Sequence, residues 1–475
     1  MNIGDDIISP SLDEKTLTFY FPSNGGLEPP GMNAVLEEIQ KRTKSELNVK
    51  LVFKFLDSYT SEYAYGIKDI AAADDCDAFF YTNQFNISLA DLEREGVIMD
   101  LSEVFPRYAP KYFSKFSKEE LKAVSINDKL LAVPNRLPTA QRKHALVRED
   151  LMKKYNISDI KSYSDYESYL KTVKSIETDV IPGMFFDTSI GLFAEANGYA
   201  ILNKNLGLVY KWNDPNMKIM PWEQTLEFKN SINTIINWFG KGYVQPGDFV
   251  DISAPIGEGR FSSIIGATGS DITYNRLLQS KGINLRYKPY SLYKDKPSER
   301  SSPLTNALVL NSRTKNAGRI FKFIEWLESS QENYDLFMYG IEGKDYVLNT
   351  DEEPVGINSA NAYENWTGQS VFSNMEYERT IQNSSDHSMN YYMNEIEKTT
   401  KYPPHTGFFP SYQALYSEVG FRQFSYADFE MKMLKGELKS DDVDDFVNLQ
   451  KQNAIDKIVN DLQSQLNNWK SSNTK

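Results

Sequence analysis

Cysteine is almost absent from this chain of 475 residues: a single residue, Cys76, can form no internal disulfide and no thiolate metal cage. No apolar run approaches the ~18 residues that mark a membrane-spanning helix. Basic residues are in deficit, 52 Lys and Arg against 65 Asp and Glu, which leaves a net charge of −13. Proteins that hold a phosphate backbone cluster Lys and Arg, so nucleic acid is not an expected partner. Histidine is scarce: His144, His387 and His405 stand apart, and no His-Glu-x-x-His helix exists to hold a hydrolytic zinc. There is no Gly-x-Ser-x-Gly elbow and no Walker sequence. Gly257-Glu-Gly259-Arg-Phe-Ser262 starts like a dinucleotide loop but lacks the third glycine. No cofactor and no metal are expected.

What is present is ordinary globular chemistry with an aromatic surplus. Hydrophobic residues make up 40% and charged residues 25%, which excludes wholesale disorder. The length predicts two or three domains. With 29 Tyr and 27 Phe, more aromatics are present than a core requires, leaving some for stacking surfaces. Residues 1–15 read as a polar tether. Leu17, Phe19 and Phe21 alternate as a strand that ends in Pro22-Ser-Asn-Gly-Gly26. Met32, Val35, Leu36 and Ile39 recur at helical spacing, Val49 to Phe55 alternates as a second strand, and Cys76–Tyr81 reads as a third. This order predicts a parallel sheet with helices on its faces.

Punctuation along the chain is local. Ser88 opens a short helix that stops at Gly96. Ser117-Lys-Glu-Glu120 and Ser164 with Glu167 read as capping boxes. Asn127-Asp128 reads as a two-residue hairpin turn. Two prolines in Val133-Pro-Asn-Arg-Leu-Pro138 break any element, so a domain crossing is placed there. Phe228 to Phe239 forms a helical stripe ending at Gly240 and Gly242. Ile320 to Leu327 forms another, and Ile455, Ile458, Leu462, Leu466 and Trp469 mark the last helix. The run Asp441-Asp-Val-Asp-Asp445 reads as the solvated start of that helix. Cys76 beside Phe79 and Phe80 reads as a small buried hydrophobe.

Several segments, in this order and spacing, resemble one family. They are Thr16–Asn24, Asp77–Asn83, Gly96–Ser102 with Tyr108-Ala-Pro110, and Asn127-Asp-Lys-Leu-Leu-Ala-Val-Pro134. Phe228 through Gly242-Tyr-Val-Gln-Pro-Gly-Asp248 follows, then Asn306–Ser312 with Phe321–Leu327, Tyr339-Gly-Ile-Glu-Gly-Lys-Asp-Tyr346 and Asn365-Trp-Thr-Gly-Gln369. The chain resembles the extracellular solute-binding proteins of carbohydrate ABC importers, and is most similar to their LipO-like lipoprotein branch. It departs from the family where Asp128 lacks a following glycine and where Gly368 is followed directly by Gln369.

The resemblance implies a two-lobed α/β fold of the type II periplasmic-binding class, hinged around an interlobe ligand cleft. Lobe 1 is expected over 16–135 and 306–350, lobe 2 over 138–304 and 351–440, with a helix over 441–475 packing near the hinge. It also implies a monomeric receptor, tethered outside the cell by a lipid on an N-terminal cysteine this sequence does not contain. Such a receptor delivers a sugar or oligosaccharide to a membrane permease without catalysis.

Loops after the carboxyl ends of parallel strands face the cleft in such folds. That rule nominates Asn24, Asn83 and Gln84 as ligand-binding, with Asn135 and Arg136 at the crossing; Asp187, Thr268, Ser270 and Asp271, each after an apolar run, are the candidates in the second lobe. Trp366 is nominated as a stacking platform, with core packing as its alternative; for Arg136 the alternative is an interlobe ion pair. Two other functions remain open at this point. A secreted polysaccharide-active enzyme would need two facing carboxylates, and the same fold could take a peptide or other non-sugar solute.

Overall fold

Strand order explains why the first strand is so apolar. In the computed structural model, Lys15–Ser23 runs between Val49–Asp57 and Ala78–Tyr81, parallel to both, and Ala307–Leu310 adds antiparallel to the outer edge of Ala78–Tyr81. The structure describes residues 13–473 apart from 58–61, 74, 83–87, 137–141, 186, 247–255, 268–269, 350–353, 357–362, 364–365 and 380–397. A central strand covered on both faces buries successive residues, as Phe19, Tyr20 and Phe21 do here.

The chain divides into two compact units. The first comprises 1–138, 302–385 and 406–411; the second comprises 139–301, 386–405 and 412–475. In the first, helix Met32–Thr43 buries Met32, Val35, Leu36 and Ile39, and helix Ala317–Leu327 buries Ile320, Phe321, Phe323, Ile324 and Leu327. These join the four-stranded sheet in one core that runs from Leu17 to Val133 and from Leu304 to Phe372. Each fully buried Leu, Ile or Phe there contributes about 1.5–3 kcal/mol. The segment 351–385, expected in the second lobe, lies in this unit instead, because Tyr363, Trp366, Val371 and Phe372 are part of its core. Ser117 and Glu120 form the expected capping box. Asn127 and Asp128, with φ of 49° and 63°, turn the hairpin between Ser125–Ile126 and Lys129–Leu130. Two adjacent positive φ angles fit a type I′ turn, which Asn and Asp tolerate without a glycine. Cys76 is buried just ahead of its strand, and its carbonyl accepts from Asn311 Nδ2 at 3.0 Å.

The second unit is built on a five-stranded sheet in the order Val244–Pro246, Gly183–Phe185, Ser263–Ala267, Lys143–Arg148, Tyr287–Ser291. Lys143–Arg148 is antiparallel to both its neighbours, so it begins at the edge where they end. A three-stranded meander, Tyr199–Asn203, Leu208–Lys211 and Met220–Pro221, lies beside it in sequence. Helix Leu226–Gly240 buries Phe228, Ile232, Ile235 and Trp238 and is followed by Gly242 at φ 66°. Helix Tyr163–Ile176 starts two residues before the expected box at Ser164 and Glu167. Ser162 has the extended backbone and its hydroxyl accepts from Asp165 N at 3.1 Å, while Ser164 is already helical. The closing segment, expected as one helix over 441–475, is two. Ser440–Gln452 and Ile455–Asn473 are separated at Ala454, whose φ of 62° interrupts the helix. Both pack against helix Tyr416–Leu434 within the second unit.

Candidate functional site

In each unit the carboxyl ends of the parallel strands gather polar groups at one edge of the sheet, where open α/β sheets hold ligands. In the first unit Lys15–Ser23 runs straight into a single tight turn, Asn24–Gly26. Gly25 N donates to Asp57 Oδ1 at 3.3 Å, which ties the turn to the end of the adjacent strand. Gly26, at φ 66°, lets the turn close against Asp57: an added Cβ would stand 3.4 Å from Asp57 N. Asn24 is thereby held with its side chain exposed. Leu27 beside it is 72% exposed, an apolar surface at the same edge that sequence reasoning missed. Its signal was there: a leucine after Gly-Gly with no partner at strand or helix spacing.

Asn135 is buried, and its amide donates to Pro303 O at 3.4 Å. Arg136 is bound inside the first unit, donating at 2.8 Å to both Asn374 Oδ1 and Glu376 Oε1. Arg136 and Lys115 together hold the Glu376 carboxyl down at about 2. The ion pair weighed for Arg136 exists, but its partner belongs to the same unit. Trp366 is a correction to the stacking-platform expectation. It is 6% exposed and ringed by Phe21, Phe53, Phe55, Phe337 and Tyr363, with centroids 5.1–6.2 Å away. Its indole folds back over the first turn of helix Thr367–Val371, and any Cβ at Gly368 would collide with it. The glycine in Trp-Thr-Gly therefore serves the core, and no face of the ring is offered to a sugar. Asn83, Gln84 and Thr268 lie outside the described residues.

The second unit's edge is charged and set. Asp187 follows the strand Gly183–Phe185, and Lys143 opens the antiparallel strand at the same edge. Lys143 Nζ lies 2.5 Å from Asp187 Oδ2 and Lys204 Nζ lies 3.3 Å from Oδ1, while Thr188 N donates to Oδ1 at 2.7 Å. Burial alone would push this carboxyl up; the two ammoniums and the amide outweigh it and hold Asp187 down at about 2. Thr188 caps the turn at Ser189–Phe193, and Gly191 leaves it room, since a Cβ there would stand 2.7 Å from Asp187 Oδ1. Ser270 is half-buried at the start of helix Ser270–Ser280. Asp271 is fully buried, so it is not the exposed ligand group expected.

Behind this edge stand carboxyls the sequence did not reveal. Glu430 accepts from Ser189 N at 3.0 Å and Ser189 Oγ at 2.7 Å, and burial pushes it up to about 7. Glu195 accepts from Tyr293 Oη at 2.8 Å, Ser298 Oγ at 2.9 Å and Glu299 N at 2.8 Å. Glu299 accepts from Ile201 N at 2.6 Å and is pushed up by burial and by Glu195. Tyr293 Oη also accepts from Lys143 N at 2.8 Å, so this network sets where the strand Lys143–Arg148 begins. His144 is buried and His405 half-buried, and loss of solvation holds them down, at about 3 and about 4, so neither carries charge at neutral pH. His387 lies outside the described residues. Among the described residues no three His, Cys, Asp or Glu side chains are grouped to hold a metal. What the two edges offer is neutral hydrogen-bonding groups and a carboxylate fixed between two ammonium groups, chemistry that suits hydroxyl groups.

No family model matches the chain. In sequence it is 21% identical over 327 residues to a carbohydrate ABC transporter substrate-binding protein of Streptococcus pneumoniae serotype 4, a match covering 68% of this chain. The matched region is 64% of that relative's length. In structure, the N-glycan transport solute-binding protein NgtS of Streptococcus pneumoniae superposes with a TM-score of 0.74 at 18% identity, covering 97% of this chain and all of the other. Its complex with Man5GlcNAc gives 0.64 at 17% identity over 96% of this chain and 99% of the other. FusA of the same species in complex with kestose gives 0.61 at 14% over 96% and 100%. The α/β fold read from the sequence is the fold that NgtS and FusA share with this chain.

Proposed function

We propose that this chain is the extracellular solute-binding receptor of an ABC importer, taking a sugar or oligosaccharide and passing it to a membrane permease. The observation that carries the reading is the fold, shared along nearly the whole chain with NgtS, one of whose structures holds Man5GlcNAc. The sequence relative, itself named for carbohydrate ABC transport, supports the same reading. The strand-end chemistry agrees. Each unit by itself presents hydrogen-bonding groups at its strand-end edge, Asn24 with the apolar Leu27 in the first and the clamped Asp187 in the second. Of the nominated residues that the structure describes, Asn24, Asp187 and Ser270 remain ligand-contacting candidates, Leu27 joins them, and Asn83, Gln84 and Thr268 stay nominated from sequence. The receptor makes and breaks no bonds. It works as a monomer at the cell surface, held to the membrane as a lipoprotein.

The test is a thermal-shift panel on the full chain with Man5GlcNAc, Man1GlcNAc and kestose, followed by calorimetry on any sugar that shifts the melt. A ligand at 100-fold its Kd adds ~2.7 kcal/mol to the folded state, which at ~2–4 °C per kcal/mol is a readily measured rise. A panel in which no saccharide moves the melting temperature, while a peptide mixture does, would overturn the reading.

A further inference from the structure

The second unit carries a groove of about 420 Å³ that none of the nominated residues line. Its volume falls within the range of small-molecule sites. One wall is the start of helix Tyr163–Ile176 and the other is the face of helix Leu226–Gly240 that presents Asn230 and Thr234. Its lining includes apolar surface: the rings of Tyr163 and Phe193, which meet at 4.6 Å and 34°, together with Leu292 and Tyr293. Leu292 to Asp295 directly follow the strand Tyr287–Ser291. That strand ends at the same edge of the sheet where Asp187 and Lys143 stand. The groove therefore opens along the edge already assigned to the solute.

Its charges decide what it would accept. Lys161 lies 3.7 Å from Asp159, Glu227 3.1 Å from Lys211, and Asp295 3.6 Å from Lys296. Each partner lies outside the lining, so the groove carries no uncompensated charge toward a ligand. The lining also carries amide and hydroxyl groups, from Asn197, Asn230 and Ser164, beside its aromatic and aliphatic surface. Neutral hydrogen-bonding groups next to apolar surface match a pyranose, whose hydroxyls ring its edge and whose C–H bonds face outward. A charged ligand would have to compete for each lining charge with the partner that charge already has.

We infer that this groove is a subsite for a neutral saccharide, holding a branch or distal unit of the solute. The inference rests on the sugar-receptor reading and adds where a larger glycan gains its extra contacts. Asn230 is exposed on its helix, so Asn230→Trp fills the groove without disturbing the core. Lys229→Trp, at an exposed position whose side chain pairs with Asp444 away from the groove, is the control. Calorimetry on the full chain compares the longer and the shorter of the two mannosylated probes. The expected result is a tenfold or greater loss of affinity for the longer probe in Asn230→Trp alone, with the shorter probe unchanged. Saturation-transfer NMR with methyl mannoside reads the groove directly: signal present in the wild type and lost in Asn230→Trp supports a subsite even where it binds a separate glycan. If both probes bind Asn230→Trp as they bind the wild type, and the NMR signal is also unchanged, the groove is not a subsite while the receptor reading stands. If no saccharide binds the wild type in either experiment, the receptor reading falls and takes the subsite with it.

Discussion

The two units meet the same problem, holding polar groups at the ends of parallel strands, by opposite means. In the first, the edge is a glycine turn tied by one amide to Asp57, with Asn24 and Leu27 standing out into solvent. In the second, the edge is an ion cluster, Lys143, Asp187 and Lys204, backed by the buried carboxyls Glu195 and Glu430 and the half-buried Glu299. One edge is shaped by backbone and the other by buried charge. The first should therefore tolerate side-chain changes at its rim and fail when its hydrophobic support is cut. The second should respond to any change of charge and to pH.

The largest effect is expected from the support of the first edge. Trp366 touches Phe21 and Phe55 on the two strands that carry the Asn24 turn and Asp57. Trp366→Ala should cost ~3–5 kcal/mol, lowering the melting temperature by roughly 10 °C at ~2–4 °C per kcal/mol. Sugar affinity of the protein still folded at the assay temperature should be unchanged. Unchanged stability with lost affinity would restore the stacking role and break the comparison.

Next is the clamp of the second edge. Asp187→Asn leaves Lys143 buried without its counter-charge, and breaking a buried pair in this way costs ~3–5 kcal/mol; the retained amide bond and the exposure of Lys204 place this case at the low end. The pH dependence has a definite sign. Asp187 has a folded pKa depressed to about 2, so its stabilisation is present above the ordinary carboxylate range near ~4 and is lost as pH falls toward 2. The variant should melt lower than wild type at pH 7 and converge with it at pH 2–3 in a denaturation series.

These two residues also mark what was legible. Local grammar read well. The Asn127-Asp128 turn and the Ser117 box each depend on residues within four positions of one another, and each stands in the structure as read. The parallel strand–helix order read well because period-2 and period-3.6 patterns survive any tertiary context. Ser164 failed because Ser162 offered the same cap chemistry two residues earlier, and spacing alone does not rank two serines. The last helix was read as one because the pattern of Ile455 to Leu466 is strong, while the left-handed Ala454 has no signature of its own. The ion cluster was half legible: strand-end position nominated Asp187, but Lys143 reaches it from the start of another strand and Lys204 from the turn after Tyr199–Asn203. Glu430, met in sequence, looks like any surface glutamate on a helix.

A smaller effect separates the two units by titration in the other direction. Glu430 in the second unit and Glu328 in the first are both pushed by burial to about 7. A raised folded pKa means the stabilisation is complete below the unfolded value near ~4.3 and is lost as pH rises through 7. Glu430→Gln and Glu328→Gln keep shape and acceptor oxygen while removing the charge. Each should stabilise the protein at pH 8 by on the order of 1–2 kcal/mol, read as a higher melting temperature, and have little effect at pH 5. Glu430 accepts from Ser189, two residues after Asp187, so its variant should also flatten any pH dependence of sugar binding between pH 5 and 8. Glu328 hydrogen-bonds Asn374 in the core region of the first unit, so its variant should leave binding alone. Equal effects of both variants on binding would remove the distinction between the units.

The smallest effect is expected at the exposed rim of the first edge, and it tests the claim that backbone rather than side chains shapes it. Asn24 is exposed, so nothing in the folded protein depends on its amide. Asn24→Ala should leave the melting temperature within ~0.5 kcal/mol of wild type. A neutral hydrogen bond to a sugar hydroxyl is worth ~0.5–1.5 kcal/mol, so affinity should fall roughly three- to tenfold at 1.4 kcal/mol per decade. Leu27→Ser should act similarly by removing apolar surface from the ring-facing side. Gly26→Ala is the contrast: at φ 66°, with its Cβ 3.4 Å from Asp57 N, it strains the turn itself. It should weaken binding more than either side-chain change, because it moves Asn24 and Leu27 together. If Asn24→Ala weakened binding more than Gly26→Ala in calorimetry, the first edge would be set by its side chains, as the second is.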